Sequence, residues 1–386
     1  MKQFFIWCWV IFLGISPSVM ATPHSVTVAA VLSTTGIAAP HNLPLIPLIE
    51  LAVDEINSQG GVLGHPLKLL LIDNHSTPIG SSQAAQKAID SDVIAVIGAH
   101  WSSHSLAMAP LLQQAKIPMI SLSTNPDITL AGEYVFRVNF NDRFQGQMVA
   151  KFARETLGAK NAVVLKNLNE AYCMTLAEYF GREFKQLGGN IFLEKGYKGD
   201  AVDFQNIISQ IKPLNPDVVF IPGYSRDSGL FLKQTVSQGL YSIFIGADAW
   251  DDIHKYAGDA LEGSYCTAVW HPKMKNPSSQ HVQKIYQQQY HSNDINFSAV
   301  PWYDAFMLLR DAVNRAKSLN TDKIRAALAA TRGFQGASGT ITFDKNGDPI
   351  GKEMVILKYE GGKPVYLKTI RPDSTDLKST TPTLKG

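Results

Sequence analysis

The stretch Leu51–Asn74, LAVDEINSQGGVLGHPLKLLLIDN, decides the fold class of this 386-residue chain. Its apolar residues first recur at the spacing of one helix face, and Gly60-Gly61 end the helix because glycine enters the left-handed C-cap conformation without a Cβ clash. The apolar run Leu67–Ile72 that follows is short enough for a buried strand. A similar run at Val26–Leu32 precedes the helix, so the chain is predicted to open as strand, helix, strand.

Apolar runs continue to alternate with amphipathic segments to about residue 250. Such alternation predicts parallel sheets connected by right-handed crossovers. The pattern falls into two series, and the chain is longer than one hydrophobic core normally supports, so we expect two lobes. After a strand at Gly263–Trp270 the alternation stops, two helices follow in succession, and Glu360–Lys363 has the composition of a hairpin turn.

The helix that ends in Asn57 and Gly60-Gly61, followed by its strand, resembles the start of the type I periplasmic binding proteins, specifically the leucine/isoleucine/valine-binding family of ABC transporters. The resemblance extends over essentially the whole chain after its first residues. It implies an α/β fold of two doubly wound parallel-sheet lobes joined by a three-strand hinge. The implied crossings lie near Asn139–Arg143, Ala268–Pro272 and Gly339–Asp344, which gives lobe 1 as residues 22–140 plus 270–340 and lobe 2 as residues 141–269 plus 341–370.

The segment Met1–Ala21 has the features of a secretory signal peptide. Lys2 precedes an apolar core at Phe4–Leu13, and small residues before and at Ala21 form a cleavage context. The core is too short to span a membrane, although an uncleaved anchor is the alternative interpretation. Residues 371–386 are rich in Ser, Thr and Pro and are predicted to be a disordered tail. We therefore expect an exported, soluble periplasmic protein that is a monomer.

Charge and cysteine content exclude several classes of partner. The 35 basic and 33 acidic residues leave a net charge of +2, which argues against a nucleic-acid or anionic-membrane partner. Cys173 and Cys266, which follow the signal peptide, could form a disulfide or remain buried thiols, and the sequence leaves both possibilities open. His100 and His104 have a spacing that suits metal ligands, but no third ligand lies nearby, so neither a metal site nor a cofactor is expected.

Hydroxyl-rich loops follow the third and fourth predicted strands. Ligands of open α/β sheets bind outside the carboxyl ends of the strands, and a helix N-terminus there favours a carboxylate. Capping of the following helix is the competing interpretation of such serines. The resemblance implies instead that Ser102, Ser123 and Thr124 hold the α-carboxylate and part of the α-ammonium of an amino acid.

An ammonium group needs an acceptor that is shielded from water. The resemblance implies that Asp248 supplies this carboxylate from the second lobe, and that Tyr172 and Tyr224 pack against or hydrogen-bond the ligand. Taken alone, the aspartate could cap a helix and the tyrosines could simply pack. The segment Gly36–Pro47 replaces a glycine-containing loop that borders the ligand in the family, so the side-chain pocket is not defined by the resemblance.

Four tryptophans follow the signal peptide: Trp101, Trp250, Trp270 and Trp302. Trp101 and Trp250 flank the loops predicted to form the site. We hypothesise that at least two of the four line the cleft and bind the ligand, which favours a bulky one. Ordinary core packing is the alternative, because tryptophan is highly buried in any fold.

The leading functional hypothesis is a solute-binding protein that captures an amino acid or a similar molecule for the permease of an ABC transporter. A sensing module that docks onto a membrane receptor is an alternative that the sequence does not exclude. An exported α/β enzyme is disfavoured, because the sequence contains no GxSxG, HExxH or P-loop motif and no GxGxxG after a strand.

Overall fold

The computed structural model describes residues 25–372. The predicted signal peptide and most of the predicted tail lie outside this range. Within it, none of the helices has both the length and the apolar character that crossing a membrane requires.

The predicted strand–helix–strand opening is confirmed. Strand β1 spans Val26–Leu32, the short helix α1 Ala39–Asn42, helix α2 Ile46–Ser58 and strand β2 Leu67–Asp73. β1 and β2 are parallel, with Val26 opposite Leu67. The side chain of Asn57 joins the end of α2 to the start of β2: its Oδ1 accepts from the backbone N–H of Leu67 at 2.7 Å, and its Nδ2 donates to the Leu67 carbonyl at 3.0 Å.

The two glycines between α2 and β2 have different roles. Gly60 and Gly61 both have positive φ, +91° and +74°. The N–H of Gly61 donates to the Ile56 carbonyl at 2.9 Å and closes the helix. A Cβ on Gly61 would lie 2.0 Å from the His65 carbonyl oxygen, whereas a Cβ on Gly60 would meet no atom within 4 Å. Gly61 therefore permits a close approach of two backbone segments. Gly60 is needed only because its φ is positive, which other residues adopt less easily.

The first sheet has five parallel strands in the order β2-β1-β3-β4-β5. Its remaining strands are short and fully buried: β3 Val96–Gly98, β4 Met119–Ser121 and β5 Val135–Arg137. Helix α3, Pro78–Ile89, precedes β3, and helix α4, Ser102–Gln114, lies between β3 and β4 in the chain. Thr77 caps α3, because its Oγ1 accepts from the N–H of Gly80 at 2.9 Å.

The next part of the chain forms a second sheet from strands that again alternate with helices. β6 to β10 are parallel neighbours in the order β10-β9-β8-β6-β7. The elements are α5 Asp142–Lys151, β6 Asn161–Asn167, α6 Ala171–Gln186, β7 Asn190–Tyr197, α7 Gln205–Ile211, β8 Val218–Phe220, α8 Ser225–Gln238, β9 Ile243–Ile245, α9 His254–Ala257 and β10 Tyr265–Ala268. Cys173 on α6 and Cys266 on β10 are buried free thiols, which answers the question that the sequence left open.

The last part of the chain returns to the first sheet and then to the second. Its elements are α10 Pro277–Tyr290, α11 Val300–Ala316, α12 Thr321–Ala329, β11 Phe334–Gly336, β12 Gly339–Ile341, β13 Met354–Glu360 and β14 Lys363–Ile370. α11 packs against α2, whereas β13 and β14 extend the second sheet with antiparallel pairing. The hairpin turn predicted between β13 and β14 is confirmed, with both of its glycines at positive φ. β11, which pairs with no strand except β12 in residues 25–372, was not predicted.

We propose that each sheet with its helices is one lobe, as the resemblance implied. Lobe 1 then contains β1 to β5 and α10 to α12, and lobe 2 contains β6 to β10 with β13 and β14. We propose that the third crossing between the lobes lies further along the chain than the predicted Gly339–Asp344. Phe343 packs on Phe136 at 5.2 Å between ring centroids, and the N–H of Arg137 donates to the Gly347 carbonyl, so the chain still contacts β5 at residue 347. We place this crossing at residues 349–353.

The two glycines after α2 give a matched test of the opening motif. Gly60→Ala should lower the free energy of unfolding by only about 1 kcal/mol, the cost of a left-handed residue with a Cβ. Gly61→Ala should cost roughly a further 1–3 kcal/mol, because its Cβ overlaps a backbone oxygen. Denaturant unfolding of both variants measures the difference. Equal destabilisation by the two substitutions would contradict the close approach at Gly61.

Candidate functional site

Six of the eight predicted site residues line one cavity of about 30 Å³ between the two sheets. The loops after β3 and β4 supply three of them, and the loops and helix starts after β6, β8 and β9 supply the other three. These residues are Ser102, Ser123, Thr124, Tyr172, Tyr224 and Asp248. Trp101 and Trp250 are not among the residues that line this cavity.

One end of the cavity is the N-terminus of α4. Ser102 is the first residue of the helix, and Trp101 is its N-cap without a side-chain hydrogen bond, so Ser102 is not a helix cap. The Ser102 hydroxyl oxygen accepts from the N–H of Asn125 at 3.2 Å. Asn125 does cap the turn that follows it, because its Oδ1 accepts from the N–H of Asp127 at 2.9 Å. A helix N-terminus with a buried hydroxyl suits a carboxylate.

Ser123 and Thr124 differ in how much of their hydroxyl is available. The Ser123 hydroxyl donates to the Ala99 carbonyl at 2.9 Å and lies 2.8 Å from the Ser105 hydroxyl. It is therefore largely satisfied within lobe 1. The hydroxyl of Thr124 forms no hydrogen bond within lobe 1 among the described residues. The backbone carbonyl of Thr124 accepts from the N–H of Asp142 at 2.8 Å. Of the two, Thr124 is better placed to meet a ligand.

The loop that presents these residues is fixed by a fully buried arginine. The Arg137 guanidinium on β5 donates to the carbonyls of Ser123 and Asn125 at 3.1 and 2.8 Å, and its Nε pairs with Asp348 at 2.7 Å. The guanidinium must keep these partners, because burying it without them would cost several kcal/mol. Arg137 therefore holds the loop after β4 in one conformation.

The opposite end of the cavity is acidic. Asp248 Oδ1 accepts from the Tyr172 hydroxyl at 2.7 Å and from Gln145 Nε2 at 2.9 Å. Burial raises the pKa of Asp248, and these two hydrogen bonds oppose that shift. Asp248 therefore lies where a ligand cation would find a shielded, oriented carboxylate.

A second carboxylate at this end was missed from the sequence. Asp142, the first residue of α5, is fully buried, and neither of its carboxylate oxygens has a hydrogen-bond partner of good geometry among the described residues. Burial raises the pKa of Asp142 well above its usual range, the Thr124 hydroxyl opposes this, and the charge of Asp248 adds to it. The sequence showed an acidic residue within Asn139–Arg143, but we predicted that this segment only connects the two lobes.

An aromatic stack crosses from one lobe to the other beside the cavity. Trp101 lies on Tyr224 with ring centroids 3.7 Å apart and planes at 12°, and Tyr172 lies 5.5 Å from Tyr224. Trp101 and Tyr224 also line an adjoining outer cavity of about 420 Å³. The aromatic group beside the cavity thus consists of one tryptophan and two tyrosines, whereas the sequence had suggested at least two tryptophans.

The other three tryptophans have an exposed fraction of 0% and belong to the core. Trp250 packs so tightly on Gly246 that a Cβ there would lie 2.1 Å from its ring. The indole N–H of Trp270 donates to Ser279 at 2.9 Å, and that of Trp302 donates to His100 Nδ1 at 3.4 Å. The structure therefore does not bring Trp250 to the cavity, and the hypothesis of at least two tryptophans in its wall does not agree with this geometry.

A buried histidine–aspartate pair connects the lobes at the same place. His41 Nε2 lies 2.7 Å from Asp251 Oδ1, and His41 Nδ1 accepts from the indole N–H of Trp101 at 3.0 Å. Burial lowers the pKa of His41, but Asp251, Asp252 and Asp248 raise it more, so its pKa is above the ordinary value of 6.5. His41 was not predicted, because it contacts the site from the segment Gly36–Pro47, where the resemblance gave no guide.

A cavity between two α/β lobes, lined by the loops that follow parallel strands, defines a two-lobed ligand-binding protein. Comparison with known sequences gives the same class, because the profile of the periplasmic binding protein family matches residues 25–363. The chain belongs to this family, and the resemblance inferred from its sequence is confirmed.

Several known proteins are similar to this chain over most of their length. It is 27% identical over 304 residues to the leucine-, isoleucine-, valine-, threonine-, and alanine-binding protein of Pseudomonas aeruginosa, covering 77% of this chain and 80% of that protein. The leucine binding protein LivK of Thermotoga maritima has a TM-score of 0.86 at 33% identity, covering 90% and 99%. LivJ of Streptococcus pneumoniae, in complex with isoleucine, has the same fold, with a TM-score of 0.85 at 24% identity over 90% and 100%.

The contacts of His41 predict a pH response at Trp101. Indole is only a donor, so His41 Nδ1 must be unprotonated to accept from it. Protonation of His41 should therefore release the Trp101 N–H, with a midpoint above pH 6.5 because the pKa is raised. The indole N–H resonance of Trp101, assigned with Trp101→Phe, measures this midpoint by NMR. A midpoint at or below 6.5, or a titration that persists in His41→Gln, would contradict the assignment.

The same pair should influence stability. A raised histidine pKa stabilises the folded state fully below pH 6.5, and this contribution is lost as the pH rises through the folded-state pKa. On the acid side it is lost as the pH falls through the pKa of Asp251, which His41 lowers despite its burial. We expect the melting temperature of the native protein to exceed that of His41→Gln mainly between these limits, with the exposed His291→Gln as control.

Proposed function

We propose that this protein is a periplasmic solute-binding protein that captures an amino acid or a closely similar zwitterion and delivers it to the permease of an ABC transporter. Export by the predicted signal peptide, action as a monomer and absence of catalysis are parts of the same proposal. The names of the similar proteins support it, since they describe binding proteins for leucine and other amino acids.

The single observation that supports this proposal best is the charge arrangement of the cavity. Ser102 at the N-terminus of α4 lines it from lobe 1, and the carboxylate of Asp248, with the fully buried Asp142 close by, lies on the side of lobe 2. A carboxylate is stabilised by the first and an ammonium by the second. An α-amino acid carries these two groups on the same carbon, which suits a small cavity.

Two buried carboxylates near each other need a cation. Burial raises the pKa of both, the charge of Asp248 raises that of Asp142 further, and Asp142 has no hydrogen-bond partner of good geometry among the described residues that would compensate. An ammonium group close to both would favour their ionised forms and pair with them in a site shielded from water. Removing one partner of such a buried pair typically costs about 3–5 kcal/mol.

Calorimetric titration of refolded, ligand-stripped protein with the common amino acids tests the proposal. At least one should bind with a dissociation constant of about 10 μM or lower, typical of a dedicated site. Asp248→Asn should weaken that binding by about 100-fold or more. The exposed Asp127→Asn, also near the loop after β4, is the matched control and should bind normally.

Asp142→Asn gives a second and more discriminating result. Because its carboxylate is buried and repelled by Asp248, the amide should leave the melting temperature of the ligand-free protein unchanged or raise it. Affinity for the amino acid should nevertheless fall. No binding of any zwitterion by the native protein, or normal binding by both aspartate variants, would refute the proposed function.

A further inference from the structure

Besides the groups assigned to the zwitterion, the cavity is lined by residues that would meet the side chain of a bound amino acid. They are a mixture of polar and apolar groups, contributed by both lobes and by the loop before α11. These residues are His41, His100, Leu122, Asn139, Ala249, Val269 and Ser298. A pocket for a purely aliphatic side chain would have no use for two imidazoles and a hydroxyl.

The nitrogen atoms of His41 are already in use. Nδ1 accepts from the Trp101 indole and Nε2 faces Asp251. Asp251 in turn accepts from Asn296 Nδ2 at 2.9 Å, so this group is tied to the loop before α11. His41 therefore forms a rigid wall of the pocket and has no nitrogen left for a ligand.

His100 differs from its neighbour, whose ring centroid lies 4.9 Å away. Its Nδ1 accepts from the Trp302 indole N–H, which can only donate. Burial, followed by the charge of His41, lowers the pKa of His100 to about 3, so the ring is neutral at every working pH. A neutral imidazole whose Nδ1 accepts must have its proton on Nε2. No described residue accepts from this Nε2–H.

We propose that His100 Nε2–H is a specificity determinant that donates to a neutral oxygen in the side chain of the bound amino acid. The protein then prefers hydroxyl and carboxamide side chains to aliphatic ones. This inference rests on the proposed function and names the ligand class of the same site.

Charge and size narrow the class further. Asp248 lines the pocket and Asp251 lies directly behind its wall residue His41, so an acidic side chain would be repelled. The cavity has room for only a few water-sized positions, so the lobes must part slightly to admit any amino acid. A short side chain requires less widening than the bulky one that the tryptophans had suggested. Threonine and asparagine are short and carry a neutral oxygen, so they meet both conditions.

Pairs of amino acids with the same shape isolate the hydrogen bond. Threonine has a hydroxyl where valine has a methyl group, and asparagine and leucine have similarly branched side chains. Calorimetry on the native protein should show that threonine and asparagine bind about tenfold or more tightly than valine and leucine, because the aliphatic partner leaves the His100 N–H buried without an acceptor.

Variants of His100 assign this preference to one side chain. His100→Leu should reduce or invert the ratio of threonine to valine affinity, whereas His100→Gln, which keeps an N–H donor, should retain part of it. His271→Leu is the matched control, because His271 is also kept neutral by burial but lies outside the cavity. Circular dichroism of each variant establishes that it is folded.

The outcomes separate the two proposals. Tighter binding of valine or leucine by the native protein overturns this inference and leaves the proposed function standing. An unchanged preference in a folded His100→Leu also overturns it. Failure of every zwitterion to bind overturns the proposed function, and the inference with it. The comparison of ligands on the native protein decides the matter even if a variant does not fold.

Discussion

The arrangement of this protein depends on the cost of burying carboxylates between two lobes. Asp142 and Asp248 come from different elements of lobe 2: Asp142 is fully buried, and Asp248 lines a cavity whose other wall is lobe 1. A carboxylate in such a place either takes up a proton or is paired with a cation. The fold gives Asp248 two hydrogen-bond donors, but leaves Asp142 without one of good geometry among the described residues. The site is therefore electrostatically incomplete in a way that an ammonium group would correct.

Several polar contacts between the lobes surround this acidic centre, beside the stack of Trp101 on Tyr224. Ser103 donates to Glu170 at 2.9 Å, Asn125 donates to Thr175 at 2.9 Å, and His41 pairs with Asp251. Burial raises the pKa of Glu170 to about 7, so this contact also changes its charge near neutral pH. Polar contacts of this kind exchange readily with water when the lobes part, whereas a continuous apolar interface would not. An interface that opens and closes is what a hinged binding protein requires.

Much of the fold was predictable because it rests on local signals. The end of α2 follows from Gly60-Gly61, and the structure adds that Asn57 is there because its amide binds the backbone of Leu67. In the candidate site, the sequence could indicate residues in the loops that follow strands, such as Thr124 and Asp248, each three residues beyond the end of its strand. His41 was not predictable, since its partner Asp251 belongs to the other lobe and is distant in sequence, and only folding brings them together. Trp250 was misleading because it also follows a strand but turns inward onto Gly246.

Ligand binding and lobe closure are a single event in this geometry. With both carboxylates ionised, bringing lobe 1 over Asp142 and Asp248 removes water from two like charges, so closure without a cation is opposed. A bound ammonium group makes this closure favourable, because it neutralises the repulsion between the two carboxylates. The carboxylate of the same amino acid is held at the same time by the helix N-terminus of the other lobe. A ligand shifts an equilibrium only by its difference in affinity for the two states. Here that difference arises because each half of the zwitterion is bound by a different lobe, so that a molecule with only one of the two charges would gain little from closure.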